Sequence, residues 1–183
     1  MQVKPTPFEG LIEVIPTVFE DDRGWFYEFY KEETFKKHNI HYCFVQENQS
    51  FSKKGVVRGL HLQLPPYAQA KLVTVLSGKV LDVVVDLRSR SKTFKQVYYC
   101  PLDSKRHNML LIPEGFAHGF AALEDSVFFY KCSNVYDRSS ERGIRWNDPA
   151  LNINWGIENP VLSMKDLELP ILADLGISVL SPS

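Results

Sequence analysis

Apolar positions along the chain alternate far more often than they recur at helical spacing. Between Leu11 and Phe19, Leu11, Glu13 and Ile15 alternate with Ile12 and Val14 ahead of Pro16, which predicts a strand. The turn cluster Glu20–Gly24 separates it from a second, strongly aromatic strand, Trp25–Tyr30. Tyr42–Asn48 and Arg58–Gln63 read as further strands, with a polar loop at Ser50–Gly55 between them. Lys71–Leu76 and Lys79–Leu87 read as a hairpin turning at Ser77-Gly78. Within it Leu81, Val83, Val85 and Leu87 share one face, while Asp82 and Asp86 fall on the other with Val80 and Val84. Thr93–Pro101, Met109–Ile112, Phe120–Leu123 and Val127–Cys132 complete the series.

Helical signals are few. Lys31–His38 can form about two turns. Ser163 reads as an N-cap with Asp166 at the capping-box position. From the residues alone, Asp166 is first a cap residue. Asp137–Gly143 reads as a polar loop, and the segments around Trp146 and Trp155 as irregular packing. Many short strands with turn signals between them indicate an all-β sandwich or barrel. No repeat or linker divides the chain, so residues 1–183 are expected to be a single domain.

Composition narrows the function classes. Formal net charge is −1 without a basic block, which argues against nucleic acid or an anionic membrane as partner. The start of the chain lacks a signal-peptide core, and no apolar run approaches membrane-spanning length. Cys43, Cys100 and Cys132 are scattered and odd in number, which fits neither a disulfide framework nor a zinc site. A reducing cytoplasm is the expected location.

The chemistry concentrates in Arg58-Gly59-Leu60-His61-Leu62-Gln63, Lys71 and Pro113-Glu114-Gly115-Phe116-Ala117-His118-Gly119. On an extended strand His61 and Gln63 point one way, Leu60 and Leu62 the other. If the strands roll into a jelly roll, His118 becomes a neighbour of His61. A metal-binding jelly roll would place a second histidine at Gln63 and a carboxylate near Lys71; an amide and an ammonium are poor substitutes. No metal is expected. A histidine base, a lysine to hold an oxyanion and the Tyr130 hydroxyl as acid instead suit proton abstraction beside a carbonyl. Each also has an ordinary reading: Lys71 as a solvated strand start, Tyr130 as a half-buried aromatic, His118 as a turn-packing group.

Several separated segments, QENQSFSKKGVVRGLHLQ, AQAKLVTVLSGKVLDVVVDLR, LIPEGFAHGF, FFYK and ERGIRWNDP, resemble the dTDP-4-dehydrorhamnose 3,5-epimerase family in order and nearly end to end. The resemblance implies a cupin-type jelly roll (a double-stranded β-helix), needing no cofactor and pairing as a homodimer by exchange of an N-terminal strand. It implies inversion of C3 and C5 in a dTDP-linked 4-keto-6-deoxy sugar. His61 would be the base, Asp166 its orienting partner, Lys71 the enolate stabiliser and Tyr130 the proton donor. Arg23, Glu28, Gln46, Asn48, Arg58, His118, Glu141 and Lys165 would bind the substrate, Arg23 and Glu28 from the neighbouring subunit. Leu62 and Leu111 depart from the aromatics common in the family. Alternatives are an enzyme inverting C3 alone, a metal-dependent cupin, or a non-catalytic sugar-nucleotide-binding module.

Overall fold

In the computed structural model, which describes residues 1–176, the strands form two stacked antiparallel sheets and a small hairpin. In chain order the elements are β1 (Gln2–Pro5), β2 (Ile12–Ile15), β3 (Val18–Asp21), β4 (Gly24–Tyr27), α1 (Glu32–Lys37), β5 (Gln46–Ser52) and β6 (Val57–Gln63). Then follow β7 (Lys71–Ser77), β8 (Lys79–Asp86), β9 (Val97–Asp103), β10 (Met109–Ile112), β11 (Phe116–Ala122), β12 (Ser126–Cys132), β13 (Glu141–Gly143) and the short α2 (Met164–Leu167). One sheet runs β1-β2-β10-β7-β12-β5 and the other β13-β6-β11-β8-β9; β3 and β4 pair with each other alone. This is the expected all-β jelly roll. Among the described residues no helix is long and apolar enough to cross a membrane.

Three apolar clusters hold the layers. Val73, Val75, Val80, Val84, Phe116, Phe120 and Phe128 meet between the sheets. Leu60, Leu62, Val83 and Val85 pack outward against the C-terminal segment around Ile144, Leu151 and Trp155. Leu72, Met109 and Leu111 are covered by α1 and the aromatic segment before β5. The alternation along β6 and β8 is the one the sequence dictates. Even-numbered Asp82 is carried to the interior while Val83 and Val85 face the covering segment.

Several boundaries differ from expectation. Lys71–Leu76 and Lys79–Leu87 do not pair; β7 bonds to β10 and β12, β8 to β9 and β11. The chain crosses from one sheet to the other at Gly78, where φ is +79° and a Cβ would lie 2.3 Å from the Asp125 carbonyl oxygen. A turn residue between two alternating runs looks the same for a hairpin and for a corner, and burial of both strands among neighbours decides for the corner. The run Leu11–Phe19 is interrupted at Pro16, whose missing N–H ends β2. The aromatic strand stops at Tyr27, β5 begins later than Tyr42 and continues into the expected loop to Ser52, and Glu141–Gly143 is a strand.

A second close approach lies between β6 and β11. Gly59 has φ +112°, and a Cβ there would meet the Gly119 Cα at 2.6 Å and the His118 carbonyl oxygen at 2.7 Å. That contact sets His61 opposite His118 in the register, with a bulge just beyond at Gly119. Gly59→Ala is expected to lose about 2 kcal/mol or more of stability, read as a fall in Tm, because both obstacles are backbone.

Candidate active site

The inner face of the sheet that holds β7 and β12 changes from apolar to polar towards one end of the sandwich. On β7, Val75 and Val73 give way to Lys71; on β12, Phe128 gives way to Tyr130 and Cys132. The open end holds two adjoining cavities, of about 250 and about 290 Å³, that share His61, Lys71 and Tyr130 in their walls. Gln46, Asn48, Gln63, Gln69, Tyr136 and Glu141 line the first; Ser50, Arg58, His118, Lys165 and Asp166 line the second.

His61 Nε2 lies 2.6 Å from Asp166 Oδ1, across 105 residues of sequence. Burial raises the Asp166 pKa, but hydrogen bonds from His61, Ser163 and the Gly59 backbone outweigh it and leave the carboxyl below its ordinary range. An ionised carboxylate only accepts, so Nε2 carries the proton and the neutral ring keeps its lone pair on Nδ1. Asp166 is also the cap residue that the sequence suggests: its N–H donates to Ser163 Oγ at 3.1 Å. The Ser163 cap uses the Asp166 backbone, which leaves its side chain free to meet His61.

The Lys71 amine makes no hydrogen bond or ion pair among the described residues, and its Nζ lies 5.9 Å from the centroid of the Tyr130 ring. Burial drives the amine pKa down, and nearby Cys132, Glu141 and Asp82 only partly offset this. Burial likewise raises the Tyr130 hydroxyl, with Arg58 opposing, so it stays protonated well past neutrality. His61 stands on one sheet and Tyr130 and Lys71 on the other, and all three line both cavities. That arrangement can take a proton from one side of a bound carbon acid and deliver one from the other.

The supporting residues divide into two groups. Arg58 is anchored through Nε to Ser52 Oγ at 3.0 Å and through Nη2 to the Phe51 carbonyl at 3.1 Å. Gln46 donates to Asn48 Oδ1 at 3.2 Å. Lys165 Nζ sits 2.7 and 2.6 Å from the two Glu141 oxygens, and Tyr136 donates to Glu141 at 2.8 Å. His118 Nε2 lies 2.8 Å from Asp82 Oδ2. All of these meet at the two cavities except Asp82, which stands behind His118. Arg23 and Glu28 do not meet there. Arg23 is 90% exposed on the β3–β4 hairpin and bonded to Asp21, while Glu28 accepts from Thr34.

Asp82, Tyr136 and Gln69 escaped the sequence reading. Asp82 carried a signal, a lone carboxylate inside the apolar run Val80–Val85; it is fully buried, and burial raises its pKa against the opposing pull of His118. Tyr136 and Gln69 carried none, since both sit in irregular segments. Among the described residues no group of three or more His, Cys, Asp or Glu is placed to hold a metal ion.

Fold and site together define an isomerase of the acid–base kind built on a jelly roll. The sequence model described as dTDP-4-dehydrorhamnose 3,5-epimerase matches residues 5–174. A Shigella flexneri protein named dTDP-4-dehydrorhamnose 3,5-epimerase is 46% identical over 91% of this chain and 93% of its own length. The Legionella pneumophila dTDP-6-deoxy-D-glucose-3,5-epimerase, solved with dTDP-4-keto-L-rhamnose, superposes with a TM-score of 0.93 at 38% identity, covering 100% of this chain and 98% of that one. A 3'-monoepimerase from Streptomyces bikiniensis, solved with dTDP-quinovose, matches at TM-score 0.87 and 33% identity over 93% of this chain and 87% of that one. The chain belongs to the dTDP-4-dehydrorhamnose 3,5-epimerase family.

Proposed function

We propose that the chain inverts C3 and C5 of dTDP-4-dehydro-6-deoxy-D-glucose to give dTDP-4-dehydro-L-rhamnose, in dTDP-rhamnose biosynthesis. The observation that carries this is the placement of His61 on one sheet and of Tyr130 and Lys71 on the other, with all three in the walls of both cavities. His61 Nδ1 takes the proton α to the C4 carbonyl, and the C–H electron pair moves into the ring as the C4 oxygen becomes an enolate. The Lys71 ammonium holds that oxygen; Tyr130 then delivers a proton to the opposite face of the carbon. Asp166 fixes the imidazole tautomer and stabilises the imidazolium. C3 and C5 both flank C4, so one oxyanion holder serves both inversions.

Besides Lys71, the second cavity is lined by the cations Arg58 and Lys165, which suit the diphosphate, Arg58 through its planar fork. Gln46, Asn48, His118 and Glu141 would contact the remainder of the sugar nucleotide. Inversion at C3 alone would use the same residues, but the family match and the more similar relatives favour both carbons. The test is conversion of dTDP-4-keto-6-deoxyglucose, with ring-proton couplings read by NMR. Changed couplings at H3 and H5 support the proposal, and a change at H3 alone sinks it in favour of C3-only epimerisation.

Arg23 and Glu28 are assigned to the partner's site in a homodimer. In the protomer alone the hairpin leaves Phe19, Trp25 and Phe26 63%, 58% and 68% exposed, an apolar face that a second subunit would cover. Arg23→Ala should weaken dTDP binding about tenfold or more with little change in kcat at saturation, read by titration calorimetry. Mixing inactive His61→Ala with Arg23→Ala chains and allowing exchange should restore tight-binding turnover, since one site of each mixed dimer is intact. No restoration would place Arg23 in its own subunit's site. The three cysteines are free thiols, which supports a cytoplasmic location.

A further inference from the structure

We infer that Gln63 is a substrate-binding and positioning residue, donating through Nε2 to an acceptor oxygen of the bound sugar nucleotide while its Oε1 holds the wall of the cavity. This rests on the reading of the site as a sugar-nucleotide pocket. Gln63 follows His61 on the same face of β6, is 6% exposed, and lines the first cavity. The backbone N–H of Asp137 points at its carboxamide oxygen at 3.1 Å. A backbone N–H can only donate, so the orientation of the amide is fixed and its NH₂ group is turned away from Asp137. That NH₂ has no hydrogen-bond partner among the described residues, yet it is not sealed from the cavity. A buried amide donor left without a protein acceptor beside an open pocket is placed for a ligand oxygen.

The other half of the amide explains the pocket wall. The segment from Ser133 to Asp137 has no sheet partner of its own and is pinned by three glutamines from three directions. Gln69 donates to the Asn134 carbonyl at 2.8 Å, Gln46 accepts from the Tyr136 N–H at 2.9 Å, and Gln63 accepts from Asp137. Together they set Tyr136 where its hydroxyl reaches Glu141. Gln63 therefore couples the strand carrying His61 to the wall carrying Tyr136. At this position, where a metal-binding jelly roll would need an imidazole, an amide supplies both a donor and an acceptor.

The two roles separate by substitution. Gln63→Glu keeps the acceptor for Asp137 but loses the donor; Gln63→Met removes both at similar volume. The expected result is a KM for dTDP-4-keto-6-deoxyglucose raised about tenfold in both variants, with the Tm of Gln63→Glu near wild type and that of Gln63→Met lower. A wild-type KM in Gln63→Glu beside an impaired Gln63→Met would reduce Gln63 to a loop anchor and overturn the donor role. Unchanged KM in both would overturn the inference entirely. If the wild-type protein itself failed to turn over this sugar nucleotide, the functional reading would fall first.

Discussion

His61→Ala abolishes turnover and solvent exchange of the substrate's α-protons while leaving dTDP affinity within a few-fold of wild type. The reason lies in the division of labour across the cavities. The Arg58 guanidinium is anchored to Ser52 and Phe51 rather than to His61, and Lys165 is held by Glu141, so the anion-binding groups survive removal of the imidazole. What disappears is the imidazole that lines both cavities with the Asp166 carboxylate behind it. Loss of a general base costs roughly 10²–10⁴-fold, and here the same group starts both inversions. Asp166→Asn probes the same dyad more gently. An amide can donate as well as accept, so it permits the wrong tautomer at His61, and kcat should fall while KM stays close to normal. Isothermal titration with dTDP beside NMR-detected turnover checks both variants. A His61→Ala protein that epimerises the sugar at close to the wild-type rate would remove the imidazole from the mechanism.

Lys71→Met lowers kcat by about 10²-fold or more, the usual cost of losing a donor to a developing oxyanion. It should also raise Tm. Burial depresses the amine pKa without a hydrogen-bonded counter-ion, so protonated Lys71 is less favourable in the folded than in the unfolded chain. That penalty is fully present below the depressed folded value, fades as pH rises from there to the unfolded lysine value of about 10.4, and is gone above it. Removing the charge at neutral pH therefore relieves a cost of folding. The same depression fixes the sign of the pH–rate profile. Enolate stabilisation needs the ammonium, so activity falls as pH rises through a value below that of an ordinary lysine. Lys71→Arg, charged throughout, should move that alkaline limb upward if it retains activity. A fall in both rate and Tm on Lys71→Met would mean that Lys71 is a structural residue.

The sequence was most legible where period-two alternation coincided with a chemical residue. His61 and Gln63 against Leu60 and Leu62 were read correctly because side-chain alternation on a strand leaves no choice. It was least legible where the partner is decided by sheet topology. Ser77-Gly78 looks like a hairpin turn, yet its two strands belong to opposite sheets because each is buried among other neighbours. Asp166 illustrates the limit of local rules. The capping signal around Ser163 is real, and nothing within those few residues says that the carboxylate reaches a strand 105 residues earlier. Asp82 was passed over although a carboxylate among Val80, Val83, Val84 and Val85 must be buried with a partner, here His118. For Arg23 and Glu28 the protomer alone does not bring the residues to the cavities, so their roles rest on the family resemblance and on the exposed aromatic hairpin.

In the proposed reaction one base, His61, one oxyanion holder, Lys71, and one acid, Tyr130, epimerise the two carbons that flank the C4 carbonyl. Incubation with dTDP-4-keto-6-deoxyglucose in D₂O, followed by NMR at both carbons, tests it most directly. Deuterium entering at C3 and at C5, and at neither in His61→Ala, is the predicted result. Folded, dTDP-binding protein that inverts the sugar without solvent deuterium at either carbon would contradict it.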